Sequence, residues 1–289
     1  AAVIIGGNFV GLRAYFEGAL DKLLDADELA VLDDQVALIT SKANRKVTFS
    51  SDPAAEPLAL EGDDKPILPV EDRFFFDEGY EYPSFFQRSN DVELSMAEKI
   101  WSENLLHCSL GFMGAYKGCE YLNDVASDEL CAGLAGMAWK EGRRALEAEF
   151  GIPMPGDSLL ETMLGKFSSP FFRDRIDRVV RQPMRKLGKG DRFLGPALLC
   201  LKHGIMPFFI LRAAAYGFFV PNEGDEQAAK IEEILASMPL EDAVIKITGL
   251  DPSVHDEAIV CRLLIGFVQE IRCLEEKEGL KPADGEENR

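Results

Sequence analysis

Three side chains in the stretch Lys99-Ile-Trp-Ser-Glu-Asn104-Leu-Leu-His107 have the types and spacing to do chemistry. They lie early in an apolar pattern of helical period, opened by Ser89-Asn90-Asp91, residue types that cap helix N-termini. At ~100° of rotation per residue, Asn104 falls about 140° from Lys99, and His107 lies between them, about 80° from Lys99. One broad helix face then presents an amine, an amide and an imidazole to one pocket. That trio suits a hydroxyl that loses a proton while its carbon loses a hydride. An amine of lowered pKa takes the proton, and the amide and imidazole hold the oxygen. The plain alternative is a solvated lysine, a capping asparagine and a satisfied core histidine. Taken alone, the three residues fit that alternative better.

A second cluster is Arg181-Gln-Pro-Met-Arg185-Lys186-Leu, three cations within six residues of a chain whose net charge is -19. Pro183 interrupts any helix, which predicts an irregular turn entering a short helix, with free backbone N–H groups. Arginine grips two phosphate oxygens at once and lysine adds a point charge. The segment therefore predicts a phosphate anchor among Arg181, Arg185 and Lys186, with Arg185 foremost. Pairing with Asp174 and Asp177 on a solvated face is the competing reading.

A third candidate is Asn8, which follows the apolar strand Ala1–Ile5 in Gly6-Gly7-Asn8-Phe9-Val10-Gly11, ahead of a helical pattern running to about Leu24. Strand, glycine-rich turn and helix invite a dinucleotide-binding reading. Asn8 stands where that fingerprint has its middle glycine, and its side chain would crowd the pyrophosphate. The other reading makes Asn8 itself functional, at the carboxyl end of a parallel strand where open α/β sheets place their sites.

The elements that must position these residues fall into two unlike parts. Val36–Thr40 and Val47–Ser50 read as strands. Asp52–Pro69 reads as loops and short strands, and the aromatic-rich Arg73–Phe86, broken by Gly79 and Pro83, as a packed linker. From Ser89 the pattern is helical: Leu94–Tyr121, Ser127–Phe150, Asp157–Phe167, a central buried helix over Pro196–Val220, then Asp225–Met238, Leu240–Ile247 and Ser253–Glu276. The expected class is mainly α, with a partial α/β segment at 1–85, an all-α domain at 86–278 and a disordered tail at 279–289.

Composition narrows the function. Forty-seven per cent hydrophobic residues are enough for a sizeable core, and the charge of -19 leaves no basic footprint for nucleic acid and repels an anionic membrane. No apolar run is long enough to span a bilayer. Six cysteines without a CxxC pair, and only three histidines, predict no metal site and reduced thiols in the cytoplasm. The chain opens in a strand without an initiator methionine, which predicts a piece of a longer protein.

The spacing Lys99, Asn104, His107 and the run Ser169-Pro-Phe-Phe-Arg-Asp-Arg-Ile-Asp-Arg-Val-Val-Arg181-Gln-Pro-Met-Arg185-Lys186-Leu-Gly-Lys-Gly-Asp-Arg-Phe-Leu-Gly-Pro196 resemble the polyol-specific long-chain dehydrogenases. The likeness continues more weakly through Ile247-Thr-Gly-Leu250 and, on Asn8, through Val3–Gly11. It implies a multi-helical catalytic domain like the C-terminal part of 6-phosphogluconate dehydrogenase, behind a remnant of a Rossmann domain. It implies NAD-dependent oxidation of a polyol, with Lys99 as general base or acid, Asn8 and Asn104 on the reacting oxygen and His107 on the reacting or adjacent hydroxyl. NAD would be bound mainly by a glycine-rich half outside this chain, so no cofactor-binding residue is assigned here. The RQPxRKL form resembles the sugar-phosphate branch, implying interconversion of mannitol 1-phosphate and fructose 6-phosphate. Unphosphorylated mannitol, a hexuronate, or a non-catalytic sugar-phosphate-binding role remain the alternatives. The choice of NAD over NADP and the oligomeric state stay open. The family's usual Asn-Thr-Gly-His-Ala stands here as Asn104-Leu-Leu-His107-Cys108, and the acid that often precedes the strand-end Asn is Gly7.

Overall fold

The computed structural model describes residues 1–42, 47–49, 60–62, 67–221 and 224–278. It forms two compact units, Ala1–Ala97 and Glu98–Arg289. The expected tail at 279–289, Ser50 of the second predicted strand, and most of the predicted loop at 52–69 lie outside the described residues.

The first unit is α/β. Its strands are β1 (Ala2–Gly7), β2 (Ala37–Lys42), β3 (Val47–Phe49), β4 (Leu60–Gly62), β5 (Leu68–Glu71) and β6 (Phe86–Ser89), and its helices α1 (Leu12–Leu20), α2 (Ala26–Gln35) and α3 (Val92–Glu98), whose last residue, Glu98, already belongs to the second unit. The larger sheet has the order β1-β2-β5-β6. β1 and β2 pair in parallel from Ala2↔Ala37 to Gly7↔Lys42, β2 and β5 meet antiparallel at Ser41↔Val70, and β5 and β6 are parallel. Ile39 and Val70 are fully buried at its centre. α2 begins at a capping box: Asp25 accepts from the N–H groups of Asp27 and Glu28, and Glu28 accepts from the Asp25 N–H. The aromatic-rich linker packs on itself, with Tyr82 edge-on to Phe74 and Phe75 at 5.3 and 4.9 Å between ring centroids.

The second unit is helical, as the expected mainly-α class requires. A π turn (Lys99–Glu103) leads into α4 (Asn104–Tyr116), followed by α5 (Leu122–Ala126), α6 (Glu129–Phe150), α7 (Asp157–Ser168), α8 (Ile176–Val180), α9 (Pro183–Leu187), α10 (Leu194–Lys202), α11 (Phe208–Ala215), α12 (Glu226–Ser237), α13 (Leu240–Thr248) and α14 (His255–Glu278). Ten of the thirteen residues of α4 are buried, so α4 takes the central place that the sequence assigned to Pro196–Val220. That predicted helix is broken after Lys202, where Gly204 adopts φ 70° and Pro207 precedes the next helix. Uniform apolarity hid the break, although glycine and proline both signal one.

Two glycines on α4 bring the cation-rich segment close. A methyl group on Gly111 would lie 2.5 Å from Val179 Cγ1, and one on Gly114 would lie 2.7 Å from Ile176 Cδ1. α8 therefore rests directly on the α4 backbone.

A buried carboxylate fastens α6 to α11. Glu141 is 5% exposed, and its two oxygens accept the N–H groups of Phe209 and Ile210 at 3.1 and 2.9 Å, in the first turn of α11. Burial pushes its pKa up, against the pull of these N–H groups. Glu141→Ala is expected to lower unfolding free energy by about 1–3 kcal/mol, because a buried and a half-buried donor lose their acceptor. Glu141→Gln should lose less, since an amide oxygen still accepts. Urea titration of the two variants reads the difference.

Candidate active site

The π turn changes the geometry expected of Lys99 and Asn104. An α-helix would set them about 140° apart. A π turn closes with an i→i+5 hydrogen bond, and here the Asn104 N–H donates to the Lys99 carbonyl. Two residues five apart then stand one turn above the other, as residues four apart do in an α-helix. Lys99 and Asn104 are thus nearly in line on one face, a closer pairing than the predicted broad face. Lys99 is half-buried.

His107 lies three residues on, in α4. Its Nε2 is 3.1 Å from Asp174 Oδ2, and its ring stands 5.3 Å from that of Phe167. Burial lowers the His107 pKa, outweighing the hydrogen bond and charge of Asp174, and Arg178 and Arg192 lower it further. A neutral imidazole that donates to Asp174 carries its proton on Nε2, which leaves Nδ1 as an acceptor.

Asp174 is 4% exposed and belongs to a chain of charge. Arg178 donates Nε–H to Asp174 Oδ1 at 2.6 Å and a second N–H to Oδ2. Burial alone would raise the Asp174 pKa, but the hydrogen bonds from His107 and Arg178 hold it well below the usual carboxylate range. Asp174 therefore does more than pair with surface cations, the role its sequence neighbourhood predicts. Nothing in spacing links it to a histidine 67 residues away.

The three cations of the RQPMRKL segment have different surroundings. Lys186 is 5% exposed, and its ammonium donates to the carbonyl of Val179 at 2.6 Å and to that of Arg181, closing the end of α8. Burial, with Arg192 and Arg185 nearby, pulls its pKa down to about 8. Arg185 donates Nε–H to Gln182 Oε1 at 3.1 Å and NH1 to Asp191 Oδ2 at 3.0 Å. Asp191 also accepts the Arg192 Nε–H at 2.8 Å, so one buried carboxylate joins two guanidinium groups. Arg181 is exposed and makes no side-chain hydrogen bond or ion pair among the described residues. Gln182, between them, is the one non-glycine residue with positive φ among the described residues, at φ 56° and ψ 57°. Its N–H is held by Asp225 at 2.7 Å. Strain of this kind gathers at functional segments. The charges of Lys186, Arg192 and Arg185 act on the buried Cys108 thiol, and that of Arg192 on His107, so the two sequence motifs lie together within the helical unit.

Asn8 immediately follows β1, at the carboxyl end of a parallel strand. The helix N-terminus beyond it is already filled. Glu93 accepts from the N–H groups of Gly11 and Arg13 at 3.1 and 3.3 Å, where a dinucleotide fingerprint would offer those groups to pyrophosphate. The Gly6–Gly11 turn therefore does not fit a dinucleotide phosphate. Among the described residues, no group of three or more His, Cys, Asp or Glu could hold a metal ion, no helix is long and apolar enough to cross a membrane, and the cysteines are unpaired.

Known proteins match this architecture. The chain is 32% identical over 165 residues to a mannitol-1-phosphate 5-dehydrogenase of Thermoanaerobacter pseudethanolicus, covering 56% of this chain and 42% of that protein. It is 25% identical over 262 residues to one from Phaeosphaeria nodorum, covering 87% of this chain and 65% of that protein. The chain thus spans less than two thirds of either relative. Two solved structures share the fold. One is Pseudomonas fluorescens mannitol 2-dehydrogenase in a ternary complex with NAD and D-mannitol, with TM-score 0.66, 14% identity, and coverage of 96% of this chain and 61% of that one. The other is a D-sorbitol dehydrogenase in substrate-free form, with TM-score 0.60, 18% identity, and coverage of 87% and 56%. The family model for the mannitol dehydrogenase C-terminal domain matches residues 91–248, more than half of the sequence and all of the α4, α8 and α9 cluster, and the chain belongs to the mannitol dehydrogenase family.

Proposed function

We propose that this chain supplies the substrate-handling and proton-transfer part of an NAD-dependent polyol-phosphate dehydrogenase of the cytoplasm, which interconverts mannitol 1-phosphate and fructose 6-phosphate. The observation that carries the reading is the alignment of Lys99 with Asn104 beside a neutral His107 whose proton is fixed by Asp174. A bound nicotinamide would supply hydride acceptance. In oxidation, the uncharged Lys99 amine takes the O–H proton of the reacting carbon. Asn104 donates amide N–H to the oxygen as it gains negative charge. His107 accepts at Nδ1 from the reacting or neighbouring hydroxyl, which orients the sugar chain. In reduction, the Lys99 ammonium returns the proton.

The phosphate falls to the RQPMRKL segment. Arg181 is exposed and makes no side-chain hydrogen bond or close ion pair among the described residues, its charge acting only at longer range on Asp177, and Arg185 presents a half-exposed guanidinium tied at one edge to Asp191. Lys186 adds a buried positive charge and holds the Arg181 carbonyl. Sequence alone favoured Arg185, but the side-chain partners favour Arg181. The test is turnover of the natural full-length polypeptide with NAD, on mannitol 1-phosphate and on mannitol. Arg181→Ala is expected to raise KM for the phosphorylated substrate by about 10- to 100-fold, the worth of one charge-assisted contact. Activity on free mannitol should stay within a few-fold. Equal losses on both substrates would defeat the phosphate reading.

A further inference from the structure

We infer that the π turn Lys99–Glu103 is locked in its register by three separate supports, and that Gly142, Gly195 and Arg143 are positioning residues for Lys99 and Asn104. The inference rests on the reading of Lys99 and Asn104 as the reacting pair. A π turn is a poorer hydrogen-bonded helix than an α turn, so it persists where its surroundings over-determine it.

The first support is α6. A methyl group on Gly142 would lie 2.5 Å from the Trp101 carbonyl oxygen and 3.0 Å from Leu105 Cδ2, so only glycine lets the α6 backbone press against the turn. The second holds the Trp101 indole, whose Nε1–H donates to the Gly190 carbonyl at 3.2 Å. Gly195 packs so closely there that a methyl on it would stand 2.5 Å from Nε1 and 2.8 Å from the Gly190 oxygen. The third is Arg143, a buried guanidinium that donates to Glu98 Oε1 at 2.7 Å and to the Pro153 carbonyl at 3.1 Å. It ties the residue just before the turn to the loop after α6. Inside the turn, the Ser102 hydroxyl donates to the Glu98 carbonyl at 2.5 Å, and Ile100 and Ser102 are buried.

Release of these supports lets the turn relax toward α geometry. Lys99 then swings from nearly in line with Asn104 to about 140° away. The three supports touch the turn's backbone, the Trp101 ring and Glu98, so their loss should appear in kcat more than in KM.

The experiment uses the natural full-length enzyme with saturating NAD and mannitol 1-phosphate. Gly142→Ala is expected to lower kcat by about 10- to 100-fold, the usual cost of displacing a reacting group by about an ångström. KM should stay within about threefold, because ground-state binding is untouched. Gly133→Ala, on the same helix where a methyl meets nothing within 4 Å, should keep the parent kcat. Arg143→Lys should retain most of the kcat that Arg143→Met loses, and Trp101→Phe should fall between the parent and Gly142→Ala. A folded Gly142→Ala with the parent kcat overturns the lock. If Gly142→Ala does not fold, equal kcat in Arg143→Met and Arg143→Lys overturns it. Lys99→Ala is measured alongside. Parent-like turnover there defeats the reading of the lysine, whereas an inactive Lys99→Ala beside a fully active Gly142→Ala defeats the lock alone.

Discussion

Lys99→Ala is expected to lower turnover of the natural full-length enzyme by at least ~10²-fold, the usual span for a general acid–base residue. The residue is half-buried at the start of the π turn, one helical turn below Asn104, and its backbone carbonyl already has a partner in the Asn104 N–H. Truncation beyond Cβ leaves that bond intact, so the π turn itself should keep its register. The loss should fall on kcat, and small primary amines added to the assay should restore part of it. Turnover within a few-fold of the parent would defeat the acid–base reading of Lys99.

Asp174 should give the second large effect, and it should act on both stability and rate. Asp174 is buried with His107 and Arg178 as its partners, so Asp174→Ala leaves the imidazole N–H without its acceptor and the half-exposed guanidinium without its carboxylate, at a cost of about 1–3 kcal/mol. Asp174→Asn is gentler on the packing and more informative about the chemistry. Its amide can donate to the imidazole as well as accept from it, so the proton is no longer confined to Nε2. A loss in kcat of about 10²-fold or more is expected, in the way that misplacing the proton on an oriented histidine costs other enzymes dearly. The pH dependence has a defined sign. The folded-state pKa of Asp174 is depressed, so its stabilisation is present above the ordinary carboxylate value and is lost as pH falls through the folded value. The His107 pKa is also lowered, so below the ordinary imidazole value the unfolded chain binds the proton more readily and stability falls with pH there too. Both groups therefore weaken the fold toward acid. Urea midpoints measured from pH 7 down to 3 should decline in the parent and decline less in Asp174→Asn below pH 4. An unchanged slope would mean that the pair carries no differential proton binding.

Much of the scaffold was legible because burial imposes a period. The 3.6-residue apolar pattern located α4, α6, α7, α12, α13 and α14. Three features were not legible, each for a physical reason. The π turn has no composition of its own. Lys-Ile-Trp-Ser-Glu reads as α-helix, and only the neighbouring Gly142 and Gly195, remote in sequence, admit the wider turn. The Asp174–His107 bond joins α4 to the segment before α8, and a tertiary pair leaves no local period. The burial of Lys186 was hidden because a lysine looks the same in sequence whether its ammonium meets water or two carbonyls. By contrast, the box Asp25–Glu28 at the head of α2 and the Gly204–Pro207 break were present as signals and were outweighed by the apolar runs beside them.

The carboxylate of Glu93 at the head of α1 has a consequence for competition. An anion tethered through the chain acts at an effective concentration of order millimolar or more at a site it can reach. Any free phosphate or dinucleotide approaching Gly11 and Arg13 must displace a rival that never diffuses away. The turn beside Asn8 thus carries its own resident competitor for any phosphate.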